Sequence, residues 1–190
     1  MPDTGGSWTV SGTSANYSVG KGVGTFSDSK GGTLFANLGS VSAASSDATV
    51  SIGIPVMPVG GSVYAGIVGR RVGTDDYNGR LVVGADGSVV IQVMHGGTVL
   101  KSATLSGVTV KAGSVLDLRL QTVGSGTTTV QARAWVDGTT QPGSWQVSAT
   151  DTTAALQTSG SVGLRTYLGG GVTNGPLPIT FDNLVVDTAN

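Results

Sequence analysis

Eleven carboxylates, one imidazole and six guanidinium groups carry most of the ionic chemistry open to this chain of 190 residues. Every acidic side chain is an Asp; Glu and Cys are absent. Without Cys there is no disulfide, thiolate metal site or thiol nucleophile. A Ser-His-Asp relay would have to run through His95, and two-carboxylate glycosidase chemistry would need an Asp pair. The densest polar cluster is Asp75-Asp76-Tyr77-Asn78 with Arg70, Arg71 and Arg80. One reading makes it a ligand-binding loop, with Tyr77 as an aromatic platform and Asp76 and Arg71 as polar partners. The plainer reading is a solvated turn with local ion pairs. As a catalytic pair Asp75 and Asp76 are poor, because adjacent residues of an extended chain point to opposite faces. His95 belongs to Met94-His95-Gly96-Gly97-Thr98-Val99, a two-residue hairpin turn, and a turn tip does not bury and orient an imidazole.

A second constellation surrounds Trp135. Val130, Ala132, Ala134 and Val136 alternate with Gln131, Arg133 and Trp135, which places the indole on a polar face. An aromatic ring among Arg and Gln can stack on the apolar face of a sugar while its neighbours bond the hydroxyls. The alternative is a loop that covers Trp135 and makes it core. The partner strand carries Leu116, Leu118 and Leu120 between Asp117, Arg119 and Gln121. A three-residue loop at 124–126 would set Asp117 opposite Arg133 and Arg119 opposite Gln131. A five-residue loop would set Arg119 against Arg133, so like-charge repulsion favours the shorter loop. In the His95 hairpin, the two-residue turn sets His95 beside Thr98 and Gln92 beside Lys101.

The elements that must position these groups are strands. Gly numbers 32, and Val, Thr and Ser are abundant while Glu is missing and Lys is scarce. Turn signals recur every eight to twelve residues, the pattern of a sandwich or barrel. The reading is all-β: a two-sheet antiparallel β-sandwich of about 13 strands in a single domain over 1–190. At most one short helical turn is expected, near Asp151–Gln157. The Gly20-Lys21-Gly22-Val23-Gly24 segment reads as a β-turn, since it lacks the strand–loop–helix setting of a phosphate cradle. The formal net charge of -1 gives no electrostatic case for nucleic acid. No apolar run approaches the roughly 18 residues of a membrane helix.

Several stretches bear a family likeness when taken in order. They are Tyr64-Ala65-Gly66-Ile67-Val68-Gly69-Arg70-Arg71, Asp75-Asp76-Tyr77, Leu116-Asp117-Leu118-Arg119-Leu120 and Ala132-Arg133-Ala134-Trp135. Pro142-Gly143-Ser144-Trp145, Ala154-Ala155-Leu156-Gln157, Gly160-Ser161-Val162-Gly163-Leu164-Arg165 and Phe181-Asp182-Asn183-Leu184 follow. Over roughly residues 60–187 the chain resembles the concanavalin A-like lectin/glucanase (LamG-like) jelly-roll modules. Such modules occur in secreted actinobacterial proteins and in minor tail proteins of phages that infect actinobacteria. The resemblance implies a jelly roll with a glycan-binding face. It also implies a structural calcium on the last strand, at Asp182, with no other cofactor required. The Glu/Asp cluster of the family's glucanases has no counterpart here.

The expectation is a non-catalytic binding or adhesion module for a surface glycan, in an extracellular or virion-associated setting such as a phage tail. Candidate ligand contacts are Trp135, Arg133, Gln131, Tyr77, Asp76 and Arg71. Partners would be a cell-surface polysaccharide and other virion or surface proteins, with oligomerisation supplying multivalency and with neither nucleic acid nor membrane insertion involved. A structural decoration or spacer domain is the first alternative; a glycoside hydrolase or lyase is the second.

Overall fold

The computed structural model describes residues 6–189. Fourteen strands lie among them, arranged as two seven-stranded sheets. In spatial order the first sheet holds β1 (Trp8–Val10), β4 (Thr33–Ala43), β13 (Gly160–Leu168), β6 (Ser62–Val72), β7 (Asp75–Gly84), β8 (Val89–His95) and β9 (Thr98–Thr104). The second holds β12 (Val147–Asp151), β11 (Thr128–Val136), β10 (Ser114–Val123), β5 (Ser46–Ile54), β14 (Leu177–Asp187), β3 (Val23–Asp28) and β2 (Tyr17–Gly20). All the ladders are antiparallel. Two three-residue 3-10 turns, Ser14–Asn16 and Ala154–Leu156, are the helical content of the described residues. No helix among the described residues is long and apolar enough to cross a membrane.

Alternation explains the layers. On β10, Leu116, Leu118 and Leu120 are buried while Asp117, Arg119 and Gln121 are half-buried on the outer face. On β7, Tyr77, Gly79, Leu81 and Val83 turn inward, so Asp76, Asn78 and Arg80 share the outer face. The two inner faces meet closely. A Cβ at Gly79 would stand 2.7 Å from Leu120 Cδ1, so a side chain there would collide with the facing sheet. Each fully buried Leu or Ile contributes about 1.5–3 kcal/mol, and Ile52, Ile67, Leu81, Ile91 and Leu118 supply a continuous core.

The strand least legible in the sequence is β3. Its turn was legible: Lys21 and Gly22 take positive φ, and Gly20 pairs with Val23. Its apolar alternation was not, because the inward positions are Phe26 and a fully buried Asp28. Asp28 accepts a hydrogen bond from the Thr166 hydroxyl at 2.8 Å, and burial pushes its carboxyl above the usual range. β14 carries a bulge near Asp182, where its apolar alternation changes parity between Phe181 and Leu184. The register of β14 against β5 shifts between Asp182 and Val185, and Asn183 has a φ of 54°.

The β10–β11 register differs from the expected one. Arg119 lies opposite Arg133, Asp117 opposite Trp135 and Gln121 opposite Gln131. Two strands considered alone predict repulsion. The third strand, β5, removes it: Asp47 accepts two hydrogen bonds from Arg119, at 2.7 and 2.6 Å. The Trp145 ring then receives both guanidinium groups, Arg133 at 4.6 Å and Arg119 at 5.7 Å from its centroid. A second correction falls at the β8–β9 hairpin. His95 pairs with Thr98 as expected, but a register shift sets Gln92 against Ser102 instead of Lys101.

Candidate functional site

The sequence candidates separate onto three surfaces. Trp135, Arg133 and Gln131 stand on the outer face of the second sheet. Asp76 and Arg71 stand on the first sheet, on the other side of the sandwich. Tyr77 belongs to neither outer face. Its side chain is buried at 0% exposure, so it is no stacking platform. The phenol donates to Asp151 Oδ1 at 2.5 Å and accepts from Gln157 Nε2 at 3.0 Å. Burial, then the Asp151 carboxylate, pushes its pKa up to about 12. Nor is the acidic cluster a loop: Asp75 to Asn78 open β7.

Arg70 and Arg71 also part company. A bulge between Val68 and Arg70 turns Arg70 into the interior, at 0% exposure. Its guanidinium donates to the carbonyls of Ala44, Gly124 and Leu156 and to Thr128 Oγ1. Arg70 is therefore a structural clamp on three loops. His95 is likewise engaged. Its Nε2 lies 2.8 Å from Asp75 Oδ2, and its Nδ1 lies 3.4 Å from Thr153 Oγ1 and 3.6 Å from Asp151 Oδ2. It ties the end of the β7–β8 pair to the segment leading into the 154–156 turn.

On the second sheet, Arg133 is held by the Pro142 carbonyl at 2.7 Å as well as by the Trp145 ring. Gln131 donates to Gln121 Oε1 at 2.6 Å, and Gln121 in turn donates to Asp47 at 3.1 Å. Trp135 is half-buried beside Asp117. Gln131, Gln121 and Asp47 are thus joined across neighbouring strands, while Arg133 is engaged by the loop between β11 and β12.

The outer face of the first sheet has a different character. Strand order and register set one row across six adjacent strands: Phe35 on β4, Arg165 on β13, Gly66 on β6, Arg80 on β7, Gln92 on β8 and Ser102 on β9. The row beside it pairs Tyr167 with Tyr64, whose ring centroids are 5.2 Å apart. Arg80 lies over the Tyr64 ring at 4.8 Å and donates from Nε to Gln92 Oε1 at 2.8 Å. Arg165 and Arg71 lie over the Phe35 ring at 4.8 and 4.7 Å. Gly66 lies between the two guanidinium-bearing strands, where β7 packs too closely to admit a side chain. A Cβ there would meet the Gly79 carbonyl oxygen at 2.0 Å and Arg80 Cα at 2.6 Å. Tyr64, Gly66, Asn78, Arg80, Arg165 and Tyr167 surround a dimple of about 10 Å³, deep enough for one ligand oxygen.

Asp76 is the acidic member of this face and is almost fully buried. Asn78 Nδ2 donates to its Oδ1 at 2.5 Å; Arg71 and Arg165 approach its oxygens at 3.4 and 3.7 Å. Burial outweighs these contacts and raises its carboxyl above the usual value. Arg80 is pushed down, first by burial and then by the nearby charge of Arg165. Arg165, Tyr167, Tyr64, Phe35 and Gln92 escaped the sequence reading as site residues. Their shared signal was alternation: Arg165 and Tyr167 interleave with Leu164, Thr166 and Leu168, all buried.

A larger hollow of about 180 Å³ lies on the second sheet, lined by Val23, Ser51, Gly53, Val115, Asp137, Thr180, Asp182 and Asn183. It contains no aromatic ring, so it offers nothing for a sugar to stack on. Asp182 Oδ1 accepts from the backbone N–H of Asn183 at 2.8 Å. No group of three or more His, Cys, Asp or Glu side chains suited to a metal comes together among the described residues. A calcium here would take Asp182 and Asp137 carboxylate oxygens, the Asn183 carboxamide, Ser51 and Thr180 hydroxyls and backbone carbonyls, all hard donors of the kind it accepts.

The fold is that of the concanavalin A-like jelly-roll sandwiches, as solved structures with low sequence identity show. The carbohydrate-binding module CBM66 from Bacillus subtilis superposes with a TM-score of 0.60 at 16% identity, over 95% of each chain. The alginate lyase Aly36B in complex with alginate trisaccharide gives 0.61 at 15% identity, over 94% of this chain and 86% of that one. A legume lectin-like domain from Entamoeba histolytica gives 0.54 at 11% identity, over 96% and 90%. No family model matches the sequence, and neither does any curated protein.

Proposed function

We propose that the chain is a non-catalytic glycan-binding module and that the outer face of the first sheet is its binding surface. The observation that carries this reading is the Phe35–Arg165–Gly66–Arg80–Gln92 row beside the Tyr64–Tyr167 pair. It combines aromatic rings and fixed hydrogen-bond donors around a shallow dimple on one sheet, which is what sugar stacking with hydroxyl recognition requires. The carbohydrate-binding module and the lectin-like domain among the structural neighbours support it. The absence of Glu, and the engagement of His95 and Tyr77 in structural contacts, support the non-catalytic part. Single-site affinity on so shallow a surface is weak, and an oligomeric, extracellular or virion-borne arrangement such as a phage tail would supply avidity. A structural calcium at Asp182 belongs to the same proposal. The test is a glycan array with wild-type protein and the Tyr64→Ala and Trp135→Ala variants. Binding that Tyr64→Ala abolishes and Trp135→Ala leaves intact is expected. Binding lost only in Trp135→Ala would move the site to the second sheet.

The alginate lyases among the neighbours favour a second reading, glycan cleavage on the same face. Chain-length analysis of alginate after incubation separates the two. Unchanged length is expected, and shortening would overturn the non-catalytic reading.

A further inference from the structure

We propose that this face selects acidic sugars, with the carboxylate of a uronate seated over Gly66 between Arg80 and Arg165. The inference rests on the glycan-binding reading and specifies its ligand class. Its first support is register. Arg165 and Arg80 are the direct neighbours of Gly66 on either side, so their Cα positions are two strand spacings apart, about 9–10 Å. A sugar ring fits across that span, and β6 sends no side chain between the two arginines, because β7 packs against Gly66 too closely for one. The dimple at its floor accepts one oxygen, while the guanidinium groups flank the rest.

The second support is charge. The whole chain is nearly neutral at -1, yet three of its six Arg stand on this face, and two of them share one carboxylate. Asp76 is shared between Arg71 and Arg165. Arg80 forms no ion pair with a carboxylate among the described residues; its contacts are the Gln92 amide and the Tyr64 ring. A neutral sugar presents hydroxyls that need acceptors as well as donors, and covering Arg80 with it would leave that charge desolvated and unanswered. A planar carboxylate meets guanidinium forks with paired, charge-assisted hydrogen bonds. The third support is preorganisation. The Tyr64 and Phe35 rings hold the two guanidinium groups in place before a ligand arrives, so little side-chain freedom remains to be lost on binding.

Titration calorimetry tests this with alginate trisaccharide and an oligogalacturonate as acidic probes, cellotriose as the neutral one and a sulfated oligosaccharide as the alternative anion. The uronates are expected to bind, with affinity falling as salt rises, and cellotriose is not. Arg80→Gln should weaken uronate binding about tenfold or more, and Arg80→Lys should restore only part of it. Asp76→Asn should strengthen it, because the variant removes the carboxylate that competes for Arg165. Should a variant fail to fold, the wild-type selectivity remains decisive. Cellotriose binding without uronate binding overturns this inference and leaves the glycan-binding reading standing. Sulfated-sugar binding alone overturns the carboxylate assignment. No binding of these probes, or of any glycan on the array, overturns both.

Discussion

Asp76 sets the charge balance of the outer face, and its environment makes a measurable demand. Burial raises its carboxyl above the ordinary 3.8 in spite of Asn78, Arg165 and Arg71. A group with a raised folded pKa binds protons more tightly in the native state. Its contribution to stability therefore falls as pH climbs from 3.8 through the raised value. Asp76→Asn should melt at or above the wild-type temperature at pH 7, with the advantage disappearing at acid pH; thermal melts across pH would show it. At Tyr77 the pH trend has the same sign, but the mutational effect is opposite. Tyr77→Phe leaves the Asp151 carboxylate without its phenol donor and should cost about 1–3 kcal/mol in denaturant unfolding. In alkaline absorbance titration the Tyr77 phenol should ionise at about 12. Stability should fall as pH rises from 10 toward that value, because the native state keeps the proton longer. That residue also shows why a motif misleads. Asp75-Asp76-Tyr77 looked like a loop with an aromatic tip, but β-strand alternation sends Asp76 outward and Tyr77 inward, so neighbouring letters serve different surfaces.

Strand pairs were largely legible in the sequence, and register was not. The inward residues of β10 and β11 alternate cleanly, and both strands lie where the pattern put them. The pairing failed because repulsion between Arg119 and Arg133 was judged from two strands, while the counter-ion, Asp47, comes from a third strand, 72 residues from Arg119 in sequence. Asp47→Ala should uncover that repulsion and destabilise the sheet by about 1 kcal/mol, less at high salt, in urea unfolding. The core beneath tolerates less. Leu118→Ala removes a fully buried side chain and should cost about 2–5 kcal/mol in the same experiment. At the last strand, the bulge that frees Asp182 was visible as a parity break between Phe181 and Leu184. Melting with and without a chelator should lower the midpoint if calcium binds there; an unchanged midpoint would remove calcium from the proposal.

At the scale of the molecule, the sandwich followed from composition and turn spacing, but the site depends on topology. Tyr64, Arg80 and Gln92 come from the consecutive strands β6, β7 and β8, but Phe35 and Arg165 join them only because β13 inserts between β4 and β6. Nothing in local sequence reports that order. Trp135 was conspicuous because it sat inside a single strand's pattern, and that strand lies on the opposite sheet. The most direct measurement of the central claim is an NMR titration of the labelled protein with alginate trisaccharide, followed at the backbone amides. The account predicts shifts concentrated at Tyr64, Gly66, Arg80, Gln92 and Arg165, with Gln131, Arg133 and Trp135 unmoved. Shifts confined to the second sheet, or none on the first, would contradict it.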